Sequence, residues 1–140
     1  LGRIDDAIAE YEAMLARDPR NDVAANNLAM LLVSHKRDDA SLDRARRLTA
    51  RFAESGNPAF LDTYGWVLYA RGEYAAAVPP LQAAVGKSPQ AHVLRYHLGM
   101  AQLKSGQLDA ARANLEAALK SNQNFPGADE VRSALANLKK

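Results

Sequence analysis

The histidines and their neighbours are the residues of this sequence that could bind a metal or take part in catalysis. His92 and His97 lie five positions apart, whereas two metal ligands on one helix face need a spacing of three or four. No carboxylate joins them in the sequence. Ser34 stands beside His35, but no acid is placed to orient that histidine, so a catalytic triad is not predicted. We therefore expect no enzymatic activity, no metal and no cofactor.

A row of arginines is the second feature that could have a chemical role. Arg44, Arg47 and Arg51 fall on one face of a predicted helix, with Arg46 beside them. Such a row could contact phosphates or an acidic partner. A solvated outer face is the favoured interpretation, because one helix of arginines rarely makes a nucleic-acid site. The net charge of only +2 also predicts no nucleic-acid partner.

Composition indicates the kind of structure that positions these residues. A chain of 140 residues with 48% apolar residues is long enough for one domain with a real core. Alanine is abundant and β-branched residues never run together, which favours helix. The apolar runs are too short to cross a bilayer, so this segment is not expected to insert into a membrane. Cysteine is absent, which leaves the cellular compartment open.

Small and apolar residues recur at an interval of 34 residues in the second half of the chain. The matching pairs are Gly65 and Gly99, Gly72 and Gly106, Ala77 and Ala111, Leu81 and Leu115, and Ala84 and Ala118. The frame extends backwards, since Gly2 and Ala7 lie 70 residues before Gly72 and Ala77. A fixed interval of this size predicts stacked pairs of helices that bury their apolar faces together.

Turn and capping residues divide the chain into predicted helices. Asn21 or Asp22 and then Ser41 are predicted N-caps, and Asn57 is a further one with Pro58 at the first helical position. Pro79-Pro80 predicts a bend but not an end, because the apolar stripe continues beyond it. The predicted helices cover residues 4–16, 21–35, 41–54, a segment from 57, 73–86, 90–104, 107–120 and 126–138.

The third unit resembles the tetratricopeptide repeat at its signature positions. These positions are Leu61, Tyr64, Gly65 and Leu68, followed by Gly72, Tyr74, Ala77, Leu81, Ala84 and Pro89. The resemblance implies an all-α, right-handed α-α superhelix of about three and a half repeats plus a C-terminal capping helix. The implied division is a half repeat over 1–20, repeats over 21–56, 57–90 and 91–124, and a cap over 125–140. Because the first helix lacks its partner, we expect a fragment of a longer array.

The same resemblance implies a binding surface. In this family a second stripe on the inner helix of each pair lines a concave groove. Here the stripe comprises Asn26, Met30, Val33, Asp62, Trp66, Tyr69, Tyr96, Met100 and Leu103. Trp66 would be the anchor of a partner, and Trp66→Ala is expected to weaken binding while leaving helicity nearly intact. The alternative that Trp66 and Met100 pack between repeats stays open.

Two functions follow from this interpretation. The first is a scaffold that binds a peptide or a partner protein in the concave groove. The second is self-association, because an unpartnered first helix would expose Ile4, Ile8, Tyr11 and Leu15. The stretch 61–69 is also similar to the final repeats of large bacterial lipoproteins found with exosortase (PEP-CTERM) and exopolysaccharide systems. That similarity implies envelope assembly machinery as the partner and favours the periplasm over the cytoplasm.

Overall fold

A computed structural model describes residues 2–139, and no strand occurs in that range. The predicted all-α class is therefore confirmed. A π-helical turn at Leu32–Lys36 extends the second helix, and a 3-10 turn at Ala50–Phe52 extends the third. The α-helices are α1 Gly2–Arg17, α2 Asp22–Leu31, α3 Asp39–Thr49, α4 Pro58–Ala70, α5 Tyr74–Lys87, α6 His92–Lys104, α7 Leu108–Ser121 and α8 Ala128–Leu138.

The helices form two layers along the chain. Each helix packs against the next one, and α2, α4 and α6 also contact one another in succession. These three helices therefore make the inner layer, while α3, α5 and α7 lie outside it. The core runs through the array as successive clusters, from α1 through α4, then α4 to α6, then α6 to α8. None of the helices in residues 2–139 combines the length and the apolar character that crossing a membrane requires.

Two glycines explain the 34-residue interval physically. A Cβ added at Gly65 would lie 2.6 Å from Leu81 Cγ, and one added at Gly99 would lie 2.8 Å from Leu115 Cγ. Both leucines are fully buried, at 0% exposure. The inner and outer helices of these two pairs can therefore approach each other only where no side chain separates them. The contact of Gly65 with Leu81 is therefore repeated 34 residues later by Gly99 and Leu115.

The structure corrects one predicted cap and confirms two others. Asp38, not Ser41, caps α3, because the Asp38 carboxylate accepts a hydrogen bond from the Ser41 backbone N–H at 3.1 Å. Asn21 caps α2 and Asn57 caps α4, with Pro58 at the first position as predicted. Pro79 and Pro80 lie inside a helix that continues to Lys87, so the prediction that they do not end it is confirmed.

The arginine row joins helices. Arg44 forms an ion pair with Glu12 at 2.6 Å, and Arg51 donates to the Pro19 carbonyl at 2.8 Å. The guanidinium of Arg46 lies over the Tyr64 ring, 5.2 Å from its centroid. Such partly exposed contacts each contribute about 1 kcal/mol or less. Contacts within the chain therefore occupy Arg44, Arg46 and Arg51.

The first helix is less exposed than predicted. Leu15 is buried at 7% exposure, and Ile8 and Tyr11 pack against the first core cluster. Ile4 is half-buried. The expectation that α1 presents all four of these side chains to a second copy is therefore wrong, because α2 and the core cover most of them. Met14, at 38% exposure, is the large apolar side chain that α1 does expose.

Candidate functional site

The inner helices and the segment before α8 enclose an open cavity of about 430 Å³. Three aromatic side chains, Trp66, Tyr69 and Tyr96, supply much of its wall. Arg37 and Glu130 place one cation and one anion beside it. The remaining lining residues are Met30, Val33, Ser34, Ala70, Val93, His97, Pro126 and Gly127.

The predicted groove residues divide into two groups. Those that line the cavity are Met30, Val33, Trp66, Tyr69 and Tyr96. The others are not among its lining residues, and the prediction needs correction most clearly for Asp62 and Met100, which are 6% and 2% exposed. Leu103 is partly buried against the cluster that contains Met100. Asn26 is half-buried, and its Oδ1 atom is buried without a hydrogen-bond partner.

The reason for the burial of Met100 is the packing of the last helix. Met100 belongs to a cluster with Phe125, Ala128 and Val131, which come from α8 and the segment before it. These side chains cover the C-terminal half of the inner stripe on α6. The accessible part of α6 therefore lies toward its N-terminal half, where Val93 is 39% exposed and Tyr96, only 8% exposed, still lines the cavity.

Trp66 is sandwiched between two other rings. Its ring centroid lies 4.3 Å from that of Tyr69 and 3.8 Å from that of His97, with interplanar angles of 7° and 17°. Two rings this close and this parallel would overlap if they shared one face of the indole, so they lie on opposite faces. The alternative that Trp66 packs between repeats is thus partly correct. Trp66 lines the cavity, while both faces of its ring are covered.

A buried carboxylate holds the third ring of this stack. Asp62 Oδ1 lies 2.7 Å from His97 Nδ1, and the two residues are 6% and 4% exposed. The expectation that no carboxylate joins the histidines is therefore wrong for His97. The partner comes from the neighbouring inner helix, 35 residues away, so spacing within one helix could not find it. The signal that could have found it is the repeat, which places Asp62 and His97 at nearly equivalent positions.

Breaking this pair from one side is expected to destabilise the fold. Asp62→Leu leaves the buried imidazole without its partner and should lower the free energy of unfolding by about 3 kcal/mol. The paired change Asp62→Leu with His97→Phe should recover most of that loss, because an apolar pair needs no such partner. Urea unfolding of the single and double variants measures the coupling. Strictly additive effects would show that the two side chains do not act together.

Four polar atoms of the cavity side chains have no hydrogen-bond partner within residues 2–139. They are Trp66 Nε1, Tyr69 Oη, Tyr96 Oη and His97 Nε2, and none of these atoms is fully buried. Burial, and next the charge of Glu130, raise the pKa of both Tyr69 and Tyr96 to about 12. Both phenols are therefore neutral at physiological pH and can donate or accept a hydrogen bond.

Gly127 allows the segment before α8 to close one side of the cavity. Its φ is +100°, and a Cβ there would lie 2.5 Å from Tyr96 Oη. Only glycine fits both the left-handed backbone and the contact with the phenol. Sequence reasoning missed Gly127 and Glu130 because they lie outside the inner helices. Within residues 2–139 no cluster of three or more His, Cys, Asp or Glu residues could hold a metal.

Two family models match the chain, and both describe the tetratricopeptide repeat. One covers residues 68–138, and the other covers residues 1–56 and 39–92. A curated relative is the cellulose synthase operon protein C of Pseudomonas fluorescens (strain SBW25), at 30% identity over 132 residues. The alignment covers 90% of this chain but spans only 10% of that relative's length.

Solved structures of similar proteins match nearly the whole chain. A thermophilic TPR protein of Thermus thermophilus superposes with a TM-score of 0.76 at 22% identity, covering 99% of this chain and 74% of that one. MamA gives 0.75 at 20% identity, with 98% and 77% covered. YrrB, a TPR protein with an unusual peptide-binding site, gives 0.69 at 22% identity, with 98% and 68% covered. These likenesses establish the solenoid fold that the sequence predicted.

Proposed function

Because the chain belongs to the tetratricopeptide repeat family, we propose that it is a protein-interaction scaffold that binds a segment of a partner protein in the cavity lined by Trp66, Tyr69 and Tyr96. The observation that carries this proposal is the set of aromatic side chains that line one cavity and whose polar atoms have no partner within residues 2–139. Unpaired polar atoms beside apolar rings are available to bind a ligand at little cost in reorganisation.

The family and the relatives support this role. Proteins with this fold are in general scaffolds without catalytic activity, and one of the similar solved structures has a peptide-binding site. The cavity volume of about 430 Å³ suits one or two side chains of a bound segment, within the range of small binding sites. The aromatic side chains are the kind that anchor protein interfaces.

Two repeat-equivalent valines provide a matched test. Val93 lines the cavity at 39% exposure, and Val23 occupies the same second position of its own inner helix at 60% exposure, away from the cavity. Peptides selected from a random phage-display library against the unmodified chain should bind Val93→Arg at least about tenfold more weakly, because the long side chain fills the cavity mouth. They should bind Val23→Arg normally.

The outcome separates the cavity from the rest of the surface. Binding is measured by titration with the purified peptides, and circular dichroism checks that both variants keep their helicity. Equal affinity for the two valine variants, whether retained or lost, would contradict a role for the cavity. A loss confined to Val23→Arg would move the binding surface to the other end of the inner layer.

The biological setting of the parent protein is a further part of the proposal. The curated relative belongs to a cellulose synthase operon, and this chain spans a tenth of it. We infer from this relative, and from the similarity of residues 61–69 to exopolysaccharide-associated repeats, a place in a larger bacterial envelope protein. The periplasm is then the favoured compartment. Self-association receives less support, because Leu15 is buried and Tyr11 is partly covered.

A further inference from the structure

We propose that the partner segment inserts an arginine side chain into the cavity, with its guanidinium between the Tyr69 and Tyr96 hydroxyls and the Glu130 carboxylate. This inference rests on the proposed function and adds to it the chemistry of the occupant. It follows from which hydrogen-bonding groups the cavity offers, which charges surround them and which ring faces are already covered.

Several free polar groups of the cavity can accept a hydrogen bond. The phenol oxygens of Tyr69 and Tyr96 have no partner within residues 2–139 and can each accept a hydrogen bond. The Glu130 carboxylate, which also lines the cavity, is a further acceptor. A guanidinium carries five N–H donors in a planar fork and no acceptor, which matches several acceptors around one cavity.

The charges favour a cation at the phenol end. Glu130 and Arg37 both line the cavity, and neither belongs to an ion pair among the described residues. Of these two charges, Glu130 has the larger influence on both tyrosines, raising their pKa more than Arg37 lowers it. An incoming cation would gain a charge-assisted hydrogen bond at an apolar site.

Other occupants fit less well. A carboxylate placed between the phenols would meet the like charge of Glu130. A sugar ring would need an open aromatic face, and both faces of Trp66 are covered by Tyr69 and His97. Tyr96 also packs against Phe125, with ring centroids 5.3 Å apart. An arginine needs only the ring edges and the oxygen atoms that remain accessible.

The test uses the single tryptophan of the chain as its reporter, because Trp66 lies in the cavity wall. Three pools of blocked peptides share random flanks and carry arginine, citrulline or glutamate at the centre. Citrulline keeps the shape of arginine and removes its charge. The arginine pool should shift Trp66 fluorescence with at least about tenfold higher apparent affinity than the citrulline pool. Glu130→Gln should remove most of that difference.

Asp129→Asn is the matched control. Asp129 lies next to Glu130 in the first turn of α8 and carries the same charge, but it is not among the cavity-lining residues. This variant should keep the preference for arginine. Equal binding of the arginine and citrulline pools, or no response to any pool, would overturn the arginine assignment. The arginine assignment would also be overturned if the glutamate pool bound most tightly and Arg37→Gln abolished that binding.

The result also separates this inference from the proposed function. If Val93→Arg weakens peptide binding but the peptides show no preference for arginine, the cavity is still the binding surface. Only the proposed arginine occupant is then wrong. If a cello-oligosaccharide shifts Trp66 fluorescence and no peptide pool does so, both the arginine and the protein partner are wrong. If neither peptides nor oligosaccharide respond and display selection also fails, both proposals fall.

Discussion

Gly65→Leu is expected to destabilise the chain by about 3 kcal/mol or more, a large share of the total stability of a domain this size. Even a Cβ at this position would lie 2.6 Å from Leu81 Cγ and 3.3 Å from the Ala77 carbonyl oxygen. Leu81 has no exposed surface into which it could move. The two helices of the pair would have to separate, which opens the core on both sides of them. Thermal and urea unfolding followed by circular dichroism measure the loss.

Gly86→Ala is the matched control. Gly86 lies in α5, where an added Cβ meets nothing within 4 Å. This change should stabilise the chain by about 0.5–1 kcal/mol, because alanine is the better helix former and loses less entropy. Gly99→Leu should reproduce the effect of Gly65→Leu, since it would press on Leu115 in the equivalent contact. A stability close to that of the unmodified chain for both leucine variants would contradict the explanation of the repeat interval.

Trp66→Ala is expected to lower both stability and partner binding. Removing the indole separates Tyr69 from His97 and leaves a gap between α4 and α6, at a cost of about 3 kcal/mol. This result differs from the sequence-based expectation of nearly intact helicity with weakened binding only. The reason is that an apolar stripe on a helix does not reveal whether a ring in it is covered on one face or on both.

Trp66→Phe separates the two roles of this residue. The smaller ring keeps part of the stack and removes only the indole N–H and some contact area, so its cost in stability should be well below that of Trp66→Ala. Denaturant unfolding gives the stability of both variants, and titration with a selected peptide gives their affinities. An unfolding midpoint of Trp66→Ala equal to that of the unmodified chain would show that the stack carries little energy.

The repeat interval made most of the fold predictable. Gly65 and Gly99 mark identical contacts with Leu81 and Leu115, so a sequence comparison of the chain with itself already identified the helix pairs. Helix ends were predicted less well where two polar residues competed. Asp38 is the N-cap of α3 because its carboxylate accepts a hydrogen bond from the backbone N–H of Ser41, three residues later. The last helix was expected as a cap, but its coverage of Met100 was not.

The candidate site was predictable only in part, for a physical reason. Residues on the inner faces of single helices, such as Met30 of α2 and Trp66 and Tyr69 of α4, follow from periodicity and do line the cavity. The pair of Asp62 and His97 depends on how far one inner helix is shifted along the next, which no single-helix pattern contains. Glu130 and Gly127 reach the cavity through the docking of α8, so only the packed structure places them there.

In the proposed function, the cavity beside Trp66 is the surface that binds a partner. Chemical-shift mapping of the isotopically labelled chain with a display-selected peptide tests it most directly. We expect the largest shifts to cluster at residues on the cavity wall, with Val93, Tyr96 and Glu130 among them. Largest shifts on the outer helices, around Arg47 of α3 or Gln82 of α5, with the cavity signals unmoved, would contradict it.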